Sequence, residues 1–262
     1  MIDTHCHLTD PRLEGQLEGV LARAAAAGVA GMITISTGID DAQRCIEVSR
    51  GREQIRCTVG VHPNYVGETD LAQVPLLRGL QAAPEVVAIG EIGLDYHYGL
   101  ELRDRQRQAF EMQLQIAVDC GKPVIIHCRE AADDCLAVMA GFPGIRAVFH
   151  CFTGTVDEAR KVLDAGYWLG YTGPITFKKS DALREAVRLT PLDRLLVETD
   201  APYLTPEPLR KQKVNEPALV MHVAATVAQI KGSTLSQIDE ITTRNVQRFF
   251  GWDVNNPVPQ PS

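Results

Sequence analysis

Met1-Ile2-Asp3-Thr4-His5-Cys6-His7-Leu8 opens the chain and sets its reading. A short apolar, β-branched run that ends in His-x-His reads as a strand carrying two imidazoles. Residues two apart on a strand project from one face, so His5 and His7 point the same way, as metal ligands must. The pattern recurs downstream. Glu91 follows Val86-Val87-Ala88-Ile89-Gly90, and His127 follows Pro123-Val124-Ile125-Ile126. His150 follows Arg146-Ala147-Val148-Phe149, and Asp200 follows Arg194-Leu195-Leu196-Val197-Glu198-Thr199. Each is the first strongly polar group after an apolar strand, or nearly so. A carboxylate in that position is costly to bury unless it is paired or metal-bound.

Outward from these runs, strands are expected near 1–5, 31–36, 55–61, 86–92, 123–127, 146–150, 167–171 and 194–199. Amphipathic helical stretches alternate with them near 12–28, 40–51, 70–82, 103–121, 130–140, 155–165 and 180–189, with two more near 215–230 and 235–249. Gly28, Gly121 and Gly166 follow their periodic segments as helix-ending glycines do. Eight such alternations in one α/β chain predict a closed (β/α)8 TIM barrel over residues 1–252. An open doubly wound sheet is disfavoured, because it cannot easily bring its first, middle and last strands to one point. The Pro-rich tail, 253–262, reads as disordered.

The chain has 262 residues, 45% of them hydrophobic and 23% charged, which is ordinary for a soluble globular protein. No apolar run approaches the length of a membrane span, so no membrane partner is expected. The net charge of −7 argues against a broad electrostatic surface for duplex DNA. Bound cations would still permit a phosphate-bearing substrate. The seven cysteines are odd in number, lack a Cys-x-x-Cys, and come without a signal-peptide pattern, so reduced thiols in a cytoplasmic protein are the simplest reading. A monomer is the default.

Four imidazoles and two carboxylates, His5, His7, Glu91, His127, His150 and Asp200, exceed the needs of one tetrahedral zinc. They suit two divalent cations sharing a bridging carboxylate. Cys6, Cys128 and Cys151 each neighbour a proposed His ligand, and period two turns them to the opposite face. His97 and His222 read as ordinary histidines.

The segments Asp3-Thr4-His5-Cys6-His7, Gly90-Glu91-Ile92-Gly93-Leu94-Asp95-Tyr96, Val124-Ile125-Ile126-His127-Cys128-Arg129, Phe149-His150-Cys151-Phe152-Thr153-Gly154 and Glu198-Thr199-Asp200-Ala201-Pro202-Tyr203-Leu204 resemble the TatD family of metal-dependent deoxyribonucleases. The likeness runs in order over nearly the whole chain and extends to Gly60-Val61-His62-Pro63 and Asn215-Glu216-Pro217. It implies a TIM barrel with a divalent metal centre whose ligands are the same six residues. Where related amidohydrolases carry a carbamylated Lys on strand four, this chain has Glu91.

The expected chemistry is hydrolysis of DNA phosphodiesters by a metal-activated water. A 3′-5′ exonuclease on single strands is the form that the family suggests. Another hydrolase activity on the scaffold, toward a small phosphoester, amide or lactone, is the alternative, and a catalytically silent binding barrel is a third. His5, His7 and Asp200 would hold one cation and His127 and His150 the second, with Glu91 bridging and Asp200 acting as general base. The cations would be Zn2+, Mg2+, Mn2+ or Ni2+. Glu198 would share the inward face of Asp200, as an orienter of a ligand His or a partner of a buried cation. With His62, Arg129 and Tyr203 it completes the candidate substrate contacts. Lys178, Lys179, Arg210, Lys211 and Lys213 could meet a nucleic-acid backbone, and Phe152, Tyr171 and Tyr203 could stack on bases.

Overall fold

Each of the eight apolar runs forms a strand in the computed structural model, which describes residues 1–254. The strands are β1 (Ile2–Cys6), β2 (Gly31–Thr34), β3 (Ile55–Val59), β4 (Val86–Asp95), β5 (Val124–Arg129), β6 (Ala147–Phe149), β7 (Trp168–Tyr171) and β8 (Leu195–Val197). They pair in chain order, all parallel. The ends of the sheet meet just beyond β8. There Cys6 and Ala201 form a parallel bridge, Asp200 N donates to His5 O (2.9 Å), and His7 N donates to Ala201 O (2.7 Å). Lower down, the Asp3 carboxylate accepts from Thr199 N (2.9 Å) and Thr199 Oγ1 (2.5 Å), so side chains complete a seam that eight short strands leave incomplete. This is the TIM barrel expected from the sequence. Its C-terminal tail lies, from residue 255 on, outside the described residues.

The helices are α1 (Pro11–Glu14), α2 (Leu17–Ala26), α3 (Ile39–Ser49), α4 (Leu77–Leu80), α5 (Arg103–Cys120), α6 (Ala132–Met139), α7 (Val156–Asp164), α8 (Asp181–Leu189), α9 (Val220–Lys231) and α10 (Leu235–Phe250). Two expected helices are broken. The stretch 12–28 divides at Gly15-Gln16, where Gln16 leaves helical geometry at φ −135°. The stretch 70–82 is mostly a 3₁₀-helix, Leu71–Leu76, because Pro75 supplies no N–H to an α-helical ladder. Gly28, Gly121 and Gly166 all adopt positive φ at helix ends, as expected. No helix among the described residues is long and apolar enough to cross a membrane.

Alternation along the strands sorts the core into two clusters. Ile2, Ile33, Ile35, Ala88, Ile125, Val148, Trp168 and Leu196 pack together with Val246, Phe249 and Phe250 of α10 and with Trp252 just beyond it. Their strand neighbours Met32, Ile89, Val124, Ile126, Ala147, Phe149, Leu195 and Val197 pack in the other, larger cluster, against the surrounding helices. The first set lines the barrel, and α10 closes its lower end. Phe249 is 1% exposed, with its ring 5.1 Å from Trp168 and 4.7 Å from Phe250. Replacing Phe249 with Ala is expected to cost about 3–5 kcal/mol. A lowered urea midpoint checks this, and an unchanged midpoint would mean that α10 does not seal the barrel.

Candidate metal centre

On five strands, plain alternation carries the inward face up from this apolar floor to a polar mouth. Ile125 leads to His127, Val148 to His150, Leu196 to Glu198 and Asp200, Thr58 to Gly60 and His62, and Trp168 to Gly170. On β1 and β4 alternation alone would fail. Ile2 and Ala88 face inward, so His5 and Glu91, each an odd number of residues further on, belong on the outer face. A register shift corrects both. Asp3 and Cys6 pair with Met32 and Thr34, and Ile89 and Ile92 pair with Val124 and Ile126, so each longer strand holds one extra residue. These bulges turn His5 and Glu91 into the mouth, a role bulges often play beside active sites. Past them Cys6, Ile92 and Leu94 pack outward. No cysteine joins the candidate metal-holding groups among the described residues.

Glu91, 2% exposed, is the hub. Its Oε1 lies 2.6 Å from His150 Nε2, 2.8 Å from His127 Nδ1 and 3.3 Å from His62 Nε2, and its Oε2 lies 3.3 Å from His5 Nε2. Asp200 Oδ1 lies 3.4 Å from His7 Nε2 and 3.7 Å from His5 Nε2. Asp200 takes a positive φ of 57°, a strained backbone that Asp tolerates better than most residues. The six residues singled out in the sequence therefore converge on one point.

Hydrogen bonds fix how each ring presents itself. His7 Nδ1 lies 3.2 Å from Ile35 O and donates to it, so Nε2, which faces Asp200, is the nitrogen that a cation would take in exchange for its proton. His127 Nε2 lies 2.9 Å from Asp95 Oδ2 and donates to it, so Nδ1, 2.8 Å from Glu91 Oε1, is the nitrogen that a cation would take in exchange for its proton. His62 is the reverse. Its Nδ1 accepts from Asn64 N (3.0 Å), so a neutral ring has its proton on Nε2, aimed at Glu91 and at His127 Nδ1, 3.1 Å away. His62 is thus a donor at the mouth and not a lone-pair ligand, although it stands in a group of possible metal holders with Glu91 and His127. These tautomers follow from the partners each ring has.

Burial alone would raise the Glu91 carboxyl, but the charges of His150 and His62 and bonds from His127 and His150 hold it well below the usual range. Burial likewise opposes ionisation of Asp200, and the His7 hydrogen bond with the nearby imidazoles holds it low. Burial pulls His5 down to about 3, so its ring is neutral and available as a ligand. Burial opposes protonation of His7 and His127, but Asp200 lifts the first, and Asp95 and Glu91 the second, to about 9, so without a cation both rings are protonated near neutral pH and metal binding would release their protons. Burial pushes Glu198 up to about 7.

The donor set fits divalent cations. Both ring nitrogens of His5 and Nδ1 of His150 are buried without a hydrogen-bond partner. Buried polar atoms rarely go unpaired, and unpaired imidazoles amid carboxylates are what a transition-metal ion would satisfy.

The remaining candidates separate. Glu198, 1% exposed, accepts from Cys151 N (3.0 Å) and Thr4 Oγ1 (3.4 Å), and lies 3.8 Å from His150 Nδ1. It sits beneath His150, inside the barrel, where a Cβ at Gly170 would collide with its carboxylate. A substrate cannot touch it there, and it has no Lys or Arg partner among the described residues. Arg129 is exposed, its guanidinium 4.6 Å over the Tyr98 ring. Tyr203 is 44% exposed and meets the His7 ring edge-on. Tyr171 and Phe152 are buried, and the Tyr171 phenol bonds Thr190 Oγ1, so Tyr171 is core and neither offers a face for stacking. Asp95, which orients His127, is not among the residues singled out in the sequence, although after the β4 bulge it stands two inward positions beyond Glu91.

The sequence model of the TatD related DNase family matches residues 2–251. The chain belongs to the TatD family. It is a TatD-family metal-dependent hydrolase, and it is 38% identical over 260 residues to the uncharacterised metal-dependent hydrolase YcfH of Escherichia coli K12, with 97% of each covered. It is 37% identical over 259 residues to the 3′-5′ ssDNA/RNA exonuclease TatD of Enterobacter lignolyticus, covering 96% of this chain and 99% of the relative. The crystal structure of the TatD homologue YJJV from E. coli superposes with a TM-score of 0.89 at 28% identity, covering 99% of this chain and 98% of that one. The fold of this TatD-family chain is therefore that of its relatives.

Proposed function

We propose that this enzyme hydrolyses phosphodiester bonds at the ends of single-stranded DNA, with two divalent cations (Zn2+, Mg2+, Mn2+ or Ni2+) at the barrel mouth. The carrying observation is Glu91, a buried carboxylate ringed by imidazoles of His5, His62, His127 and His150. His5, His7 and Asp200 would hold one cation and His127 and His150 the other, with the Glu91 carboxylate within reach of both groups. Cations there supply Lewis acidity toward phosphoryl oxygens and make water easier to deprotonate. Asp200 Oδ1 takes the proton of the attacking water. His62 Nε2–H donates to a phosphoryl oxygen, which stabilises charge as it builds. Asp95 keeps His127 oriented, the Glu198 carboxyl lies beneath His150, and Arg129 and Tyr203 at the rim meet the substrate.

The relative named as a 3′-5′ ssDNA/RNA exonuclease supports the choice of substrate. Degradation of end-labelled single-stranded DNA by metal-loaded protein, resolved as a ladder, tests the reading. Turnover of small phosphoesters, amides or lactones with intact DNA would overturn it. Asp95→Ala frees the His127 ring and is expected to weaken metal binding about 10- to 100-fold, measured by calorimetric titration with Zn2+.

A further inference from the structure

Three tyrosines are exposed among the described residues, Tyr65, Tyr98 and Tyr203, and they follow β3, β4 and β8 on the face that bears the metal centre. Two of them stand on its imidazoles. Tyr65 ends the 3₁₀ turn Pro63–Tyr65 that His62 caps, and its ring meets the His62 ring edge-on, centroids 6.0 Å apart. Tyr203 meets His7 in the same way at 5.9 Å. His62 borders Glu91 and His7 borders Asp200, so the two phenols flank the cluster. They lie within electrostatic reach of one another, since Tyr65 adds to the upward push that burial gives Tyr203.

Neither ring is buried, yet Tyr203 is firmly braced. The Arg12 guanidinium lies 4.3 Å over it, itself locked in a two-pronged pair with Asp10 at 2.8 and 2.7 Å. Asn215 Nδ2 donates to Tyr203 O (2.6 Å) and to Thr199 O (2.9 Å), tying the tyrosine's backbone to that of Asp200. Tyr65 is 45% and Tyr203 44% exposed. Arg12 covers one face of Tyr203 and Asp10 accepts from its hydroxyl (3.4 Å), and the ring surface left open there and on Tyr65 is of the kind that unpaired bases stack on. Bases in a duplex are already stacked and paired, so they reach such faces only after unpairing.

We propose that Tyr65 and Tyr203 form an aromatic clamp over the metal centre that stacks the bases flanking the scissile phosphate and so selects unpaired ends of nucleic acid. The clamp rests on the phosphodiesterase reading above. It deepens that reading by assigning the part of the substrate that is gripped: the base, not the phosphate.

The test compares the wild type with Tyr65→Ala, Tyr203→Ala and the two Phe variants. The substrates are a single-stranded oligonucleotide and the same strand made abasic at the two terminal positions of the degraded end. Each Ala variant is expected to raise KM on the normal strand about tenfold or more, with kcat nearly unchanged. The Phe variants keep wild-type KM, because the ring suffices. On the abasic strand the Ala variants match the wild type. Equal losses on both strands would make the tyrosines structural and overturn the clamp, as would Ala variants that behave like wild type on the normal strand. If the wild type neither binds the normal strand, by fluorescence anisotropy, nor cleaves it, the phosphodiesterase reading fails and the clamp falls with it.

Discussion

Glu91→Gln lowers kcat by about 10³-fold or more while the protein stays folded. The amide keeps the volume of the side chain and one acceptor oxygen, so His62 Nε2–H retains a partner. The charge is what it removes. Glu91 is 2% exposed and held ionised by the imidazoles around it, so its negative charge is available to hold cations in place. Preorganised charge in a water-poor site commonly accounts for 10²–10³ in rate per group, and loss of the carboxylate proposed to serve both cations adds to that. Near neutral pH the metal-free variant should be less stable than the metal-free wild type, because the imidazoles that hold the Glu91 carboxyl below its usual range favour its ionised form in the fold, and the amide loses that interaction. The rise in Tm on adding metal should shrink, since a ligand that binds only the folded state stabilises in proportion to its affinity. Single-turnover kinetics with thermal denaturation, with and without Zn2+, checks both. Wild-type turnover in Glu91→Gln would remove Glu91 from the mechanism.

Asp200→Asn is expected to lower kcat about 10²- to 10⁴-fold, the range for removal of a general base. His7, His5 and His150 hold Asp200 below its ordinary value against the effect of burial, so it is ionised throughout the neutral range. The Asn amide cannot take the proton of an attacking water. Metal content separates the two roles of the residue. If the Asp200→Asn variant still binds metal at the wild-type stoichiometry but is slow, the loss is that of the base. If it binds one cation fewer, the loss is that of a ligand. Unimpaired kcat would exclude Asp200 from proton transfer.

Much of this was legible from one strand at a time. The apolar runs alternating with amphipathic segments gave eight strands, and all eight are present. His127, His150 and Asp200 each lie an even number of residues beyond a core residue facing into the barrel, so simple alternation carries them to the mouth. Cys128 falls beside His127 and turns outward for the same reason, whereas Cys151, at a positive φ of 43°, breaks the alternation and sets its Sγ 2.9 Å from Thr172 Oγ1. Tyr171 shows the limit of such reading, because an aromatic at the upper end of a strand looks alike whether it meets solvent or, as here, Thr190.

The chain by itself determined the barrel and the chemical kind of its mouth, because strand period and residue type are local properties. The tertiary structure alone decided that His5 and Glu91 face inward, because their bulges exist only in register with β2 and β5. It also decided which nitrogen each ring turns to the centre, Nε2 on His62 and Nδ1 on His127. That choice is set by Asn64 N on one ring and the Asp95 carboxylate on the other, and a ring's tautomer depends on the partner that folding brings to it.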